Sequence, residues 1–369
     1  MKTEILDLTP VSPGSRRQLT RHFWDAGGGP KVYLQAALHA DEMPGAILLW
    51  HLMELLDTAE AEGRITGQIS VVPFANPIGL TQWLQGKPQG RQDLETMQNY
   101  NRGHFDLAAL AGDALEGQLT QDAGQNTKII RAAFAKALKA LAPKSENEEL
   151  RQRLLQWSHD ADLVLDLHCD HEAVMHFYTS SSHPALTEAL GRCTGAVLAL
   201  MEDTSGGNAF DEAHTAPWRA LQKRFPDHPI AQPTFATTLE YRGQRDVSDA
   251  QAQQDALNMM AFLGAAGVIS GAPKPAHPPA LQTPLNGAGE VFAAQGGIVT
   301  WALTPGAMVE KDQILGHVSD PLTRRRLPLL APNAGLFFRR DLHPFCLKGQ
   351  GLAHVAGETP VRSGDLLSN

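Results

Sequence analysis

Cysteine is scarce in this chain: three residues in 369, Cys169, Cys193 and Cys346, with no C-x-x-C pair among them. That excludes a zinc ribbon and fits a reducing, cytoplasmic compartment. Long apolar runs are missing too. No stretch reaches the roughly 18 uncharged apolar residues that a transmembrane helix needs, and the opening "MKTEILDLTPVSPGSRRQL" has no apolar signal core. Positive charge is in deficit, 31 Lys and Arg against 40 Asp and Glu, for a formal net charge of −9. Nonspecific binding to nucleic acid or to an anionic membrane is therefore disfavoured, and neither is expected as a partner.

What is present describes a globular protein with ample core: 43% hydrophobic and 19% charged residues. The length suits one large domain and one small one. The stretch "GAPKPAHPPALQTPLNG" (Gly271 to Gly287) is dense in proline and turn residues and marks the boundary. The expected organisation is a catalytic α/β domain over 1–270, a linker over 271–284 and a β domain over 285–369.

Before the boundary, strand-like and helix-like segments alternate. "KVYLQAAL" (Lys31 to Leu38), "QISVVPFAN" (Gln68 to Asn76), "ADLVLDLH" (Ala161 to His168) and "TFATTLEYRG" (Thr234 to Gly243) read as strands. "PGAILLWHLMELLDTA" (Pro44 to Ala59) carries apolar residues at helical spacing behind a first-turn proline. "TKIIRAAFAKALKALA" (Thr127 to Ala142) and "DVSDAQAQQDALNMMAFLGAAG" (Asp246 to Gly267) read as helices, the latter with a capping box from Ser248 to Gln251. "ALTEALGRCTGAVLAL" (Ala185 to Leu200) reads as mostly helical. Asp113 to Gly124 reads as a surface loop. Such alternation predicts an α/β fold with a mixed, largely parallel sheet flanked by helices, whose sites form at the strands' carboxyl edge.

After the boundary, short apolar runs separated by Gly, Pro and Asp predict a smaller all-β, barrel-like or sandwich domain. It carries a weak internal repeat, Gln313 to Val318 against Gln350 to Val355. The Arg324 to Arg326 run reads as a solvated hairpin tip.

Three strand ends carry residues that make poor core material: His39-Ala-Asp-Glu42, then "LDLHCD" with Asp166, His168 and Asp170, then Glu240 in "TTLEYRG". Two histidines and one carboxylate make a catalytic zinc set that leaves a fourth position open. Taken alone, His39 and Glu42 read equally well as an exposed polar turn. His171 in "HCDHE" is a rival ligand that ranks second, because His168 directly continues the apolar strand. Asp166 either orients a ligand imidazole or turns away. Asp41 has no evident role. "DAGGGP" (Asp25 to Pro30) lacks the Lys-Ser/Thr of a phosphate loop and reads as a turn.

The ordered set His39-x-x-Glu42, Asn101-Arg102, His168 and Glu240 resembles the succinylglutamate desuccinylase/aspartoacylase family, within the zinc carboxypeptidase-like (M14-like) superfamily. The resemblance runs from about Lys31 to Gly267. It implies one Zn²⁺ per chain held by His39, Glu42 and His168, with Glu240 as general base. Arg102 with Asn101 would bind a substrate carboxylate, or Arg102 would polarise the scissile carbonyl. Asn76 would be a further substrate contact. The sequence departs from the family pattern at Asp106-Leu107, in the loose spacing of Arg91, and at Tyr241 and Arg242, which would reshape the pocket.

The implied activity is hydrolysis of the amide of a small N-acylated amino acid or amine, a substrate bearing a carboxylate. The alternatives are a metallocarboxypeptidase on short peptides and a non-catalytic metal-binding or carrier protein. The β domain resembles a biotinyl/lipoyl barrel but has no lysine at its candidate tip, so it is expected as a lid or an oligomer contact; a homo-oligomer is one expected assembly.

Overall fold

The computed structural model describes residues 1–364 and Leu366. Nine strands form the main sheet. In spatial order they are Lys2–Asp7, Gln18–Asp25, Gln68–Val72, Lys31–Ala36, Leu163–Asp170, Phe235–Gly243, His176–Thr179, Leu198–Met201 and Leu281–Pro284. The four central strands, Gln68–Val72 through Phe235–Gly243, run parallel. Antiparallel pairings occur at the N-terminal edge and where His176–Thr179 meets Phe235–Gly243.

Strand alternation divides the core into two layers. Val32, Leu34, Leu163, Leu165 and Leu167 point to one face, packed by the helices Pro44–Ala61, Pro184–Thr194 and Asp249–Ala265. Tyr33 and Val164 point to the other, beneath Ala123–Ala140, Glu146–Ser158 and Glu212–Arg224. Gly45 sits where the first helix presses on the sheet: a Cβ there would lie 2.7 Å from Leu167 Cβ. Ser248 caps its helix as expected, its Oγ accepting from the Gln251 N–H.

Several segments differ from their sequence reading. Residues 185–200 are not one helix: Pro184–Thr194 ends at Gly195, whose φ of 80° stops the helix, and Leu198–Met201 becomes a buried strand. Residues 271–284 are not solely a linker. Their last four, Leu281–Pro284, pair in parallel with Leu198–Met201 and complete the main sheet, because an edge strand needs partners on one side only. The Asp113 to Gly124 loop contains a 3-10 turn, Gly112–Leu115, and the start of a helix capped by Asp122. Two N-terminal strands and the helix Glu212–Arg224 lack a clean apolar period and gave no sequence signal.

The C-terminal domain consists of antiparallel strands in two sheets. The two repeat segments become Ile314–Asp320 and Gly351–Ala356, each an interior strand of its own sheet. The arginine run lies exposed at a turn, as expected, and enters the strand Arg325–Leu330. One strand of the second sheet comes from the N-terminal α/β region: Glu172–Ala173 pairs with Gly335–Arg340. Arg340 Nε adds an ion pair to Glu172 at 2.6 Å. The two domains are thus joined by a ladder directly beyond the strand that carries His168. Among the described residues, no helix is long and apolar enough to cross a membrane.

Two buried histidines set an acid limit on this fold. Burial pushes His214 and His176 each down to about 4, against about 6.5 for an unfolded imidazole. The unfolded chain therefore binds more protons in that window, and stability is lost as pH falls from about 6.5 toward 4. Each group contributes about 1.4 kcal/mol per pH unit there. The raised Glu240 carboxyl works the other way, so the comparison with a variant isolates the effect: in chelator-treated protein the thermal midpoint of His214→Gln, taken relative to wild type, is expected to rise between pH 7 and pH 5. A constant difference over that range would contradict this.

Candidate metal and catalytic site

The strand Lys31–Ala36 stops two residues before the sequence reading placed its end. Ala37 then takes a left-handed φ of 55°, an unfavourable conformation for a residue with a Cβ, of the kind found at functional sites. The chain turns through His39, whose carbonyl accepts from the Glu42 N–H at 3.1 Å. The helix starting at Pro44 fixes the far side of the turn. Gly90 packs against the outside: a Cβ there would fall 2.1 Å from the Asp41 nitrogen, and its carbonyl accepts from the Ala40 N–H.

Register delivers the distant residues. His168 and Asp166 lie two apart on one strand and share a face. Glu240 is the Cα partner of His168 on the neighbouring parallel strand. His39, Glu42 and His168 come together, all buried, with one candidate ligand atom from each within 4.8 Å of the others. His39 Nδ1 is 3.0 Å from Glu42 Oε1, and His168 Nδ1 is 2.8 Å from Glu42 Oε2.

The other imidazole nitrogens are held from behind. His39 Nε2 donates to Asn99 Oδ1 at 2.8 Å, and His168 Nε2 to Asp166 Oδ2 at 2.9 Å. Asn99 Oδ1 also accepts from the Asn101 N–H, which fixes the orientation of its amide. A relay backs Asp166: Gln35 Nε2 donates to Asp166 Oδ1 at 3.0 Å, and the Tyr33 hydroxyl donates to Gln35 Oε1 at 2.9 Å. Both nitrogens of each ring therefore face acceptors, while a neutral imidazole carries one N–H. With the rear nitrogens donating, two Nδ1 lone pairs converge on a carboxylate. That donor set fits a borderline divalent cation.

Burial and neighbouring charge pull against each other at this cluster. Burial opposes ionisation of Glu42, but the two imidazoles overcome it and hold the carboxyl below its ordinary value. Burial likewise lowers His39. For His168 burial is outweighed by Asp166 and Glu42, which push it well up. Burial, reinforced by the Glu42 carboxylate, raises Glu240 to about 8. Glu240 Oε2 is buried with no hydrogen-bond partner.

A cavity of about 330 Å³ opens over this cluster, and His39, Glu42, His168, Glu240, Asn101, Arg91 and Arg102 all line it. Arg102 Nη1 donates to the Asn101 carbonyl at 2.6 Å, while its Nε is buried without a partner. Arg91, despite its loose spacing, reaches the site, its Nη1 lying 3.8 Å from Glu42 Oε1. Asn101 is committed to the fold through one atom: its Oδ1 accepts from the Phe210 N–H, and its Nδ2 lies 3.4 Å from His168 Nε2. Asp41 faces the cavity wall, its Oδ2 accepting from Gln244 Nε2.

Two expectations fail, and the rival to His168 lies elsewhere. Asn76 is fully buried and does not line the cavity; its amide bridges the Leu38 carbonyl and the Gly79 N–H, so it shapes the strand-end loop and has no atom left for substrate. Tyr241 points into the opposite layer, and Arg242 is paired with Asp255, so neither forms the pocket. His171 turns away from His39 and Glu42 toward Asp341.

Sequence reasoning missed Asn99 and Arg339. Asn99 stands two residues before the Asn-Arg pair and offered no separate signal. Arg339 enters the cavity from the C-terminal domain, its Nη1 3.1 Å from Asp170 Oδ2.

The rear hydrogen bonds give a testable consequence. Asp166→Asn presents an amide to His168 and to Gln35 at once, and one of the two loses its acceptor. If Nε2 loses it, the ring shifts its proton to Nδ1 and blocks the ligand lone pair. Zinc affinity is expected to fall about 10–100-fold, read by competition with a chelating dye; unchanged affinity would remove Asp166 from this role.

The family model described as "Succinylglutamate desuccinylase/Aspartoacylase catalytic domain" matches residues 28–265. Among solved structures, the chain is similar to a succinylglutamate desuccinylase/aspartoacylase family protein from Shewanella frigidimarina, with TM-score 0.85 and 24% identity over 96% of each chain. One from Shewanella amazonensis gives TM-score 0.83 at 24% identity, over 96% of this chain and 98% of that one. The ectoine utilization protein EutE (DoeB) from Ruegeria pomeroyi, in a product-bound structure, gives TM-score 0.66 at 20% identity over 96% and 94%. At these identities the likeness is one of fold. Among curated protein sequences nothing matches the chain.

Proposed function

The chain belongs to the succinylglutamate desuccinylase/aspartoacylase family, and on that premise we propose that it is a zinc-dependent amidohydrolase that deacylates a small N-acylated amino acid or amine bearing a carboxylate. The observation that carries this reading is the pair of imidazoles whose Nδ1 atoms converge on Glu42 while Asn99 and Asp166 hold their Nε2 atoms. His39, Glu42 and His168 would hold the metal, one ion in this site.

A zinc ion held by these three residues would supply a Lewis acid for the scissile carbonyl and would bring a water toward ionisation near neutral pH. Glu240 stands on the strand beside His168, and its unpartnered Oε2 can accept the proton of the attacking water. It then delivers that proton to the leaving nitrogen as the C–N bond breaks. The first step needs the ionised form of Glu240, which the positive charge of a bound metal would favour over the raised carboxyl of the empty site; the protonated form then serves the second. The products are a carboxylic acid and an amine, and the water is fully consumed.

Arg102 has most of its donors uncommitted and supports carboxylate recognition, a fork matching two oxygens. Arg91 and Arg339 add positive charge to the same cavity.

The test combines metal content with a substrate panel of N-acetyl and N-succinyl amino acids, their carboxamide analogues and dipeptides. Expected are bound zinc and hydrolysis of acylated amino acids, with the carboxamides poorer through KM. Cleavage of dipeptides alone would replace the deacylase reading by a carboxypeptidase, and a chain without bound divalent metal would end the zinc reading.

A further inference from the structure

Beyond the catalytic cluster, one other group of described side chains has the composition and spacing of a metal site: His171, Asp341 and His343. We infer that these three residues bind a second divalent cation of the zinc class, which ties the C-terminal domain to the rim of the catalytic cavity.

The site is built across the domain boundary. His171 follows the strand that carries His168 and lines the cavity. Asp341 and His343 stand just beyond the strand Gly335–Arg340, which pairs with the catalytic region. Asp341 Oδ1 lies 3.4 Å from His171 Nδ1 and 2.9 Å from His343 Nδ1. Ligand atoms about 2.0–2.1 Å from one tetrahedral ion are about 3.3 Å apart, so these separations suit a shared metal with small adjustments.

Asp341 is held for the task. Gln350 Nε2 donates to its Oδ2 at 2.9 Å, and the His343 N–H donates to its Oδ1 at 2.9 Å. His171 Nδ1 supplies the independent indication: it is buried and has no hydrogen-bond partner, although it faces Asp341. At 3.4 Å the pair is too long for a good hydrogen bond, and a cation between them would give the His171 nitrogen the partner it lacks. The rings stand edge to face, with centroids 5.9 Å apart, and leave the solvent side open. Two imidazoles with one carboxylate favour zinc and its transition-metal neighbours over calcium or magnesium.

A consequence follows for the cavity. Arg339 is two residues from Asp341 and pairs with Asp170, the neighbour of His171. A metal gripping His171, Asp341 and His343 holds that contact closed and keeps the Arg339 guanidinium in the cavity wall.

The experiment counts zinc in the full-length chain by elemental analysis, after loading and desalting. Wild type is expected to keep two zinc per chain, and His168→Ala and His343→Ala one each. The double variant His168→Ala/His343→Ala should keep none. His343 is 62% exposed, so its truncation spares the core; a circular dichroism melt checks that. A His343→Ala chain with wild-type zinc content overturns the second site. So does a wild-type chain that keeps one zinc and loses it in His168→Ala, or a second zinc that desalting removes as an adventitious ion. If the single retained zinc is lost in His343→Ala and kept in His168→Ala, this site stands and the catalytic-zinc reading falls.

Discussion

Glu240→Gln is expected to lower kcat/KM by about 10²–10⁴-fold, the range that general acid–base catalysis supplies, with zinc content unchanged. The substitution is nearly isosteric. It removes no hydrogen bond from Oε2, because that atom has no partner. It also removes an energetic burden. A carboxyl raised to about 8 in the folded chain titrates near 4.3 when unfolded. The folded state therefore binds the extra proton, and the wild type loses stability as pH rises through that window. Glutamine does not titrate, so in chelator-treated protein at pH 8 the variant's thermal midpoint is expected to equal or exceed that of the wild type. Lost activity together with retained zinc and undiminished stability separates a proton-transfer role from a structural one. Activity within a few-fold of wild type would remove Glu240 from the chemistry.

How far the sequence led depended on whether a feature is local. His39 and Glu42 stood out because a buried strand, an acidic and imidazole cluster and a proline-led helix follow one another within fifteen residues, but that pattern suited a polar turn equally well and only the family resemblance implied a ligand role. His168 and Glu240 were legible as the polar ends of apolar strands, and the sheet then placed them side by side. His168 was preferred to His171 in sequence because it directly continues the apolar strand; in the structure His168 lies in that strand and His171 passes into the turn toward the C-terminal domain. Asp166 was undecided because both faces of a buried strand are covered, so apolar runs do not reveal which side chains point to the site.

Other features had no local signature. Asn76 and Asn99 are both asparagines near strand ends, and only three-dimensional hydrogen bonding shows that one ties a loop together and the other backs a histidine. Arg339 belongs to an all-β domain whose texture says nothing of the cavity it enters. Leu281–Pro284 hides inside a proline-rich stretch, since an edge strand tolerates proline where a central one does not.

The second large effect is expected for His168→Ala, which removes a ligand rather than a support. The site is left with His39 and Glu42, and its zinc affinity is expected to fall by more than the roughly 10–100-fold that follows loss of an outer partner. Hydrolysis should fall to background with it. Stability should fall as well, for a separate reason. His168 stands between Glu42 and Asp166, and removing it leaves both carboxylates buried without that partner. Breaking a buried pair in this way costs about 3–5 kcal/mol. His168→Gln is the informative companion, because its amide can still donate to one of the two carboxylates while making a poor zinc ligand. It is expected to melt above His168→Ala and yet to be equally inactive and equally short of one zinc per chain. That split assigns the lost activity to the metal and the lost stability to the stranded carboxylates. If His168→Gln regained the wild-type rate along with its stability, the imidazole would be a structural brace, and the metal ligands would have to be sought elsewhere in the cavity.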